Sequence, residues 1–450
     1  MNPVRSHWLR HLPASLLCLV LTAACHGANS PESDPASNTA SKRVEPKPTA
    51  ENLRGALNAD YVTPPGTRQE CLGRLMFDAP QAMEWSYGSN NAAKDSQCFA
   101  KGTCDHPQML NLGEARIAIL PAKKEILKEK IHSEELGKQR AIEYHQERIA
   151  LMKGMIEDFS VQEGGLDDGA RKAIADYQKE ITDNERAIPT VKKTWKPFDL
   201  GLPDSAGYAS GTALTAWLWR NGYLYEIVMA ADPQQAGQTQ EETWKSFIST
   251  IQKFRSRKLY EVPTERGICI PFGFWPDDGT VEYNIGVQMR WADHPNVIYH
   301  WQTGMVGKLG SEATLFNATA AAAVGLAAGA ENAEVAAKLT HRIGPRQVTL
   351  GGLRAEQGGV AINLAPKGKP PIPNYSVYTG YGGWGGSQML PFILIDMQSY
   401  THEQVPSFKN NPPPFEESLA RLNAFLASMR LRPTDQPMPE LLQIKAGGKP

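Results

Sequence analysis

Chemistry in this chain would need a nucleophile, a metal-binding cluster or a phosphate cradle, and the residue spacing offers none of them clearly. A serine hydrolase carries its nucleophile on a sharp strand-to-helix turn marked Gly-x-Ser-x-Gly. The nearest stretch, Gly207-Tyr208-Ala209-Ser210-Gly211, has a different spacing. Metal-dependent catalysis wants His and carboxylates clustered at helical or turn spacing. His145, His294, His300, His341 and His402 are scattered instead, so no metal site is expected. The stretch Gly380-Tyr381-Gly382-Gly383-Trp384-Gly385-Gly386 is followed by no helix start with Lys and Ser or Thr, so it is not a phosphate loop. It reads as a mobile loop carrying two aromatics, Tyr381 and Trp384. Such residues anchor protein interfaces or cap a domain's own core. The expectation is a binding protein that is not an enzyme, with no cofactor and no small-molecule substrate.

The six cysteines divide by position. Arg5 and Arg10 precede an apolar run through Leu12, Leu16, Leu17, Leu19, Val20 and Leu21, which ends at Thr22-Ala23-Ala24-Cys25. This is the layout of an export signal, and the run falls short of the roughly 20 residues of a permanent span. A cysteine directly after the small residues resembles the lipobox of bacterial lipoproteins, with Thr22 where that pattern usually has a leucine or branched side chain. The resemblance implies removal of residues 1–24 and diacylation of Cys25. Each buried methylene is worth about 0.8 kcal/mol, so two chains hold firmly. His26 in place of Asp resembles the default sorting to the outer membrane, which implies a periplasmic protein touching membrane through its anchor alone. The alternative is an ordinary soluble periplasmic protein. Residues 25–66 are rich in Ser, Pro, Ala, Asn and Lys, and read as a flexible tether. Cys18 leaves with the signal, and Cys71, Cys98, Cys104 and Cys269 remain. An even number in an oxidising compartment favours two disulfides, of three possible pairings, and the absence of Cys-x-x-Cys argues against zinc.

The elements that would position these residues come in two sets. Lys and Arg number 47 against 48 Asp and Glu, a net charge of -1, so nucleic acid is excluded as a natural partner. An internal echo aligns Glu241 to Arg257 on Glu416 to Arg432 without gaps. Apolar residues Trp244, Phe247, Ile251 and Phe254, and Leu419, Leu422, Leu426 and Met429, fall at helical spacing, with acids leading and arginines closing. A strand candidate precedes each helix, around Asn221-Gly222 in one half and from Leu390 to Met397 in the other. The starts also rhyme, Cys71-Leu72-Gly73-Arg74 with Gly267-Ile268-Cys269-Ile270. The fold class expected is α+β: two related domains of antiparallel sheets with flanking helices, at residues 67–258 and 259–435, before a tail at 436–450. Charged, apolar-dotted stretches over 123–188, broken at Gly164-Gly165, predict a helical hairpin inserted in the first domain. It is read as packed on itself, with an arm offered to a partner as the alternative. An Ala-rich run at 311–339 reads as a soluble helix, because Asn317, Glu331 and Glu334 interrupt it.

Cys71-x-Gly73-Arg74 with Asp78 and Pro80, the Gly267-x-Cys269 start, Leu350-Gly351-Gly352-Leu353-Arg354-Ala355-Glu356, and Leu390-Pro391-Phe392-Ile393-Leu394-Ile395-Asp396-Met397 together resemble a known family. It is that of the immunity proteins of type VI secretion lipase effectors, the fourth type of the Tli family, over residues 70–432. The resemblance implies two domains that grip a cognate phospholipase in the periplasm and keep lipid from its active site. It implies also a Cys71 to Cys269 bridge across the domains, whereas Cys98 with Cys104 departs from the family pattern. Envelope lipoproteins of other classes, an enzyme with a dispersed site or a scaffold, are the competing readings. Changing Cys25 to Ser should abolish incorporation of radiolabelled palmitate and move the protein from the membrane to the soluble fraction. Label retained by that variant would contradict the anchor.

Overall fold

The first strands of each half form a tight hairpin, and each half closes with an amphipathic helix and a short strand. The computed structural model describes residues 48, 50–86, 109–160, 167–211, 213–230, 239–305, 339–364, 370–402, 405 and 408–442. The first half runs α1 (Ala50–Leu57), β1 (Arg68–Leu72), β2 (Leu75–Ala79), β3 (Met83–Trp85), β4 (Met109–Leu112) and β5 (Ala115–Pro121). A helical hairpin follows, α2 (Ile126–Ser160) and α3 (Asp168–Thr194), then β6 (Lys196–Phe198), β7 (Ser205–Ser210), β8 (Ala213–Arg220) and β9 (Tyr223–Ala230). The half ends with α4 (Gln240–Lys253) and β10 (Arg255–Ser256). The second half runs β11 (Gly267–Ile270), β12 (Gly273–Pro276), β13 (Tyr283–Trp291), β14 (Val297–Gly304), β15 (Leu339–Leu350) and β16 (Leu353–Leu364). It closes with β17 (Ile372–Tyr381), β18 (Phe392–Ser399), α5 (Phe415–Ala427) and β19 (Arg430–Leu431). Cys25, Cys98 and Cys104 lie outside the described residues, as does the helix expected over 311–339 except for Leu339, which opens β15.

The class is α+β, as expected, and every strand pairing among the described residues is antiparallel. One sheet takes strands from both halves in the order β15-β16-β17-β18-β14-β13-β4-β5-β9-β8-β7-β6, with β3 also on β13. The seam is the pairing of β13 with β4, from Tyr283 opposite Leu112 to Gly286 opposite Met109. Asn221 and Gly222 both adopt positive φ, +52° and +84°, the turn that lets β8 and β9 pair directly. Two small sheets complete the join: β19 from the second half extends the β1-β2 hairpin, and β10 from the first half extends the β11-β12 hairpin. Each half thus lends its last strand to the other.

The two echoed helices hold this arrangement from the inside. α4 begins with a capping box, Thr239 accepting from the Glu242 amide while Glu242 accepts from the Thr239 amide. α5 lacks a side-chain cap at Pro414 but carries Glu416 and Glu417 in its first turn, which suits the helix dipole. Phe247 and Ile251 are buried in α4, and Leu422, Phe425 and Leu426 in α5. Phe425 was not among the residues expected inside, yet it meets Phe77 of the first half at 5.1 Å and Trp301 and Tyr299 of the second at 5.5 and 6.0 Å. These edge-on contacts are the geometry aromatic quadrupoles prefer.

The helical hairpin is present with shifted ends. α3 continues through Pro189 to Thr194, beyond the end expected at 188, and Trp195 donates to the Val191 carbonyl at its close. Its base packs Ile126, Leu127, Ile131 and Trp195 on Tyr208, Trp217 and Leu224. Further out the helices bond each other through Arg148 with Glu180 and His145 with Asn184. The tether expected to reach residue 66 ends sooner, since Ala50–Leu57 is helical and buries Leu53 and Ala56. The described helices include none long and apolar enough to cross a membrane. Replacing Phe425 by Ala should cost about 3–5 kcal/mol in denaturant unfolding, as expected for an aromatic core truncation. A loss below about 1 kcal/mol would mean that α5 does not bind the halves as described.

Candidate functional site

The positions where the two halves touch concentrate the buried charge. Gly73 and Cys269 exchange both backbone hydrogen bonds, each 2.8 Å, and a disulfide joins Cys71 to Cys269 across 198 positions. Gly73 has φ +60°, and a Cβ there would lie 2.8 Å from the Tyr283 ring, so the turn requires glycine. Closing so long a loop removes about 5 kcal/mol of chain entropy from the unfolded state on the loop-closure account.

Two ion pairs flank the bridge. Arg257 meets Glu70 with side chains 1% and 0% exposed, and also donates to the carbonyls of Cys71 (3.0 Å), Ile270 (3.1 Å) and Gly273 (3.1 Å). Glu70 accepts in addition from the Cys71 and Tyr260 amides at 2.9 and 2.6 Å. Arg74 grips Asp277 with two nitrogens, at 3.0 and 2.6 Å, and its Nε donates to Gln388. Arg432 occupies the position equivalent to Arg257 in the echo, but donates only to carbonyls, those of Pro263, Glu265 and Gly267. Burial lowers its pKa to about 10, helped by the charges of Arg74 and Arg257, and leaves it a cation at neutral pH.

The glycine-rich loop is tied to this cluster. Gln388, which accepts from Arg74, donates to the Thr280 carbonyl at 2.9 Å. The Glu440 carboxylate accepts from the Ser387 hydroxyl and from the amides of Gln388 and Met389. The Trp384 amide donates to Leu390 at 2.8 Å. The loop expected to be mobile is therefore pinned at its far end by side-chain bonds that its own sequence does not announce. Tyr381 is 6% exposed and belongs to the core; Trp384 is half-buried against it.

Beside this loop lies a cleft of about 370 Å³. Asn52 of α1, Gln347 of β15, Arg354 and Glu356 of β16, and Gly380, Tyr381 and Gly382 line it. Arg354 donates to the Gln347 amide oxygen at 2.9 Å. Glu356 is half-buried, with its Oε2 shielded from solvent and without a hydrogen-bond partner, and burial raises its pKa.

No hydrolytic constellation emerges among the described residues. Ser210 ends β7 in the hairpin to β8, not in a strand-to-helix turn. Ser376, His300 and Asp396 sit on neighbouring strands, but the Ser376 hydroxyl donates to Asp396 and the three are 9%, 6% and 5% exposed. Burial pushes Asp396 up to about 7, against hydrogen bonds from Gln398, Ser376 and Tyr378 that lower it. No three His, Cys, Asp or Glu side chains among the described residues converge to hold a metal. Missed at the sequence level were Glu70, Arg257, Asp277 and Glu440, whose partners are far away in the chain. The one available signal was the pair of arginines closing each echoed helix.

Residues 261–434, from just before β11 to just after β19, match the family model of the Tle cognate immunity protein 4 C-terminal domain. The resemblance read from sequence is thereby borne out over the second half. No curated protein matches. Among solved structures, immunity protein TplEi of T6SS from Pseudomonas aeruginosa, complexed with "L" peptide, is 16% identical over 82% of this chain and 99% of that chain, at a TM-score of 0.46. The chain of the Tle4-Tli4 complex is likewise 16% identical, over 83% and 100%, with a TM-score of 0.46. Changing Arg257 to Met should cost about 3–5 kcal/mol by stranding Glu70 in the core. Changing Glu70 and Arg257 together to Met should cost less than the sum of the single changes, as read from a double-mutant cycle. Additive losses would mean that the two charges are not coupled.

Proposed function

We propose that the protein is an immunity protein that binds a type VI secreted phospholipase in the periplasm and blocks it by covering it, so that the producing cell's membrane is spared. The match of the second half to the Tle immunity domain carries this reading. The export signal with Cys25 supports the place, because a lipase delivered by a neighbour meets phospholipid outside the cytoplasm. The lipid anchor, in the outer membrane by the rule for His26, keeps the inhibitor at the surface under attack.

The mechanism is steric and involves no turnover. An interfacial lipase must admit bilayer to its mouth, and an inhibitor that occupies the mouth or holds the lid suffices. A stable cover buries about 1,600 Å², of which a few anchors carry most of the affinity. Rigidity favours such a cover, since a surface already ordered loses less entropy on binding. The bridge at Cys71 and Cys269 and the pinned loop supply that order. Of the two aromatics on the glycine-rich loop, Tyr381 lies in the core and Trp384 is half-buried, so Trp384 is the one with surface to present to a partner. Deleting the gene should make cells sensitive to siblings that secrete the cognate lipase, and expression of the exported chain should restore survival. Unchanged survival of the deletion strain would overturn the proposal.

A further inference from the structure

We infer that the outer face of α2 pairs with the same face of a second copy of this chain, the two helices lying antiparallel about a two-fold axis between Glu143 and Tyr144. The inference goes beyond the reading above and does not depend on the identity of the lipase. Five large apolar side chains stand exposed among the described residues, and three of them, Leu136, Tyr144 and Leu151 at 44%, 58% and 48%, are on α2. At about 100° of turn per residue the three fall within a sector of about 80°. That sector is turned about 130° from the side that meets α3, where Ile142 and Met152 are buried and His145 and Arg148 bond across. Single exposed apolar residues are ordinary, but an aligned stripe of them marks a surface that binds protein.

The stripe reads alike in both directions, and this selects a second copy as its occupant. A two-fold interface must complement itself: where residue i of one copy meets j of the other, its own j meets the other's i. With the axis close to the middle of α2, Leu136 of each copy stands level with Leu151 of the other, and Arg140 level with Glu147. The two Tyr144 rings meet across the axis. Ser133 stands level with Gly154, where nothing lies within 4 Å of an added Cβ, so the backbones can approach. Arg140 and Glu147 are exposed, and neither enters an ion pair among the described residues; the pairs that α2 forms run through Lys130, Lys138 and Arg148. The Arg140 to Glu147 contact would occur twice, and opposite charges so placed fix register and orientation. Further out Glu129 stands level with Asp158, so like charges bound the contact at its ends.

Exchanging the two charges tests this. The exported chain carrying Cys25→Ser, otherwise intact, is followed by sedimentation equilibrium. It should be a dimer whose dissociation constant rises at least ten-fold in Arg140→Glu and in Glu147→Arg, with the unfolding midpoint unchanged. An equal mixture of these two variants should associate as tightly as the parent, since each offers the other opposite charge at both contacts, and so should the double variant. In cells, Tyr144→Cys should give a disulfide-linked dimer on mild oxidation, and Lys153→Cys, exposed on another side of α2, should not. A parent that stays monomeric up to about 1 mM, where specific association is already weak, overturns the proposal. So does a mixture that associates no more tightly than its components, or equal cross-linking at positions 144 and 153. A dimer indifferent to both charge changes refutes this face as the contact. A monomer whose capture of the lipase weakens in these variants assigns the face to the lipase and refutes the pairing.

Discussion

The structure depends on a charged contact that is buried at the point where the two halves cross. Arg257 and Glu70 are almost wholly removed from water, and neither could be left there alone. Arg257 arrives on the segment after α4 and Glu70 on the first strand of the described sheet, so satisfying the pair forces the end of one half onto the start of the whole. The disulfide beside it then has little geometry left to choose, because Gly73 and Cys269 are already hydrogen-bonded. Arg74 with Asp277 repeats the device a few ångströms along the same hairpin.

The exchange of terminal strands makes the halves mutually dependent. β10 completes the second half's hairpin, β19 completes the first half's, and α5 wedges Phe425 between aromatics of both. The shared sheet adds a third tie through β13 and β4. A molecule so cross-braced presents fixed surfaces on its outside, and a steric inhibitor has use for fixed surfaces. The Glu440 carboxylate extends the bracing to the glycine-rich loop, whose sequence alone suggests freedom.

The parts legible in the sequence are those written in local periodicity. The echo located both closing helices, the Asn221-Gly222 pair located a hairpin, and the charged stretches located the paired helices α2 and α3. The misreadings also have local causes. Phe425 lies one position off the Leu422, Leu426 and Met429 stripe, but α5 is covered broadly enough that both positions are buried. α1 has only Leu53, Ala56 and Leu57 to mark it within a polar stretch, and its burial comes from distant neighbours such as Gly352. Pro189 reads as a stop, yet the helix passes through it. Long-range pairs leave no periodic trace: Arg74 and Asp277 are 203 positions apart, and nothing near either names the other. The unpartnered oxygen of Glu356 is of the same kind, since it depends on which residues stand opposite in two other strands.

The central claim is that this surface stops an enzyme by covering it. Titrating the purified protein into the type VI lipase it is proposed to bind, with phospholipid vesicles as substrate, tests this most directly. The account predicts that hydrolysis falls linearly to near zero at one equivalent, while the protein alone releases no fatty acid. Hydrolysis that continues undiminished past one equivalent, or fatty acid released by the protein alone, would contradict it.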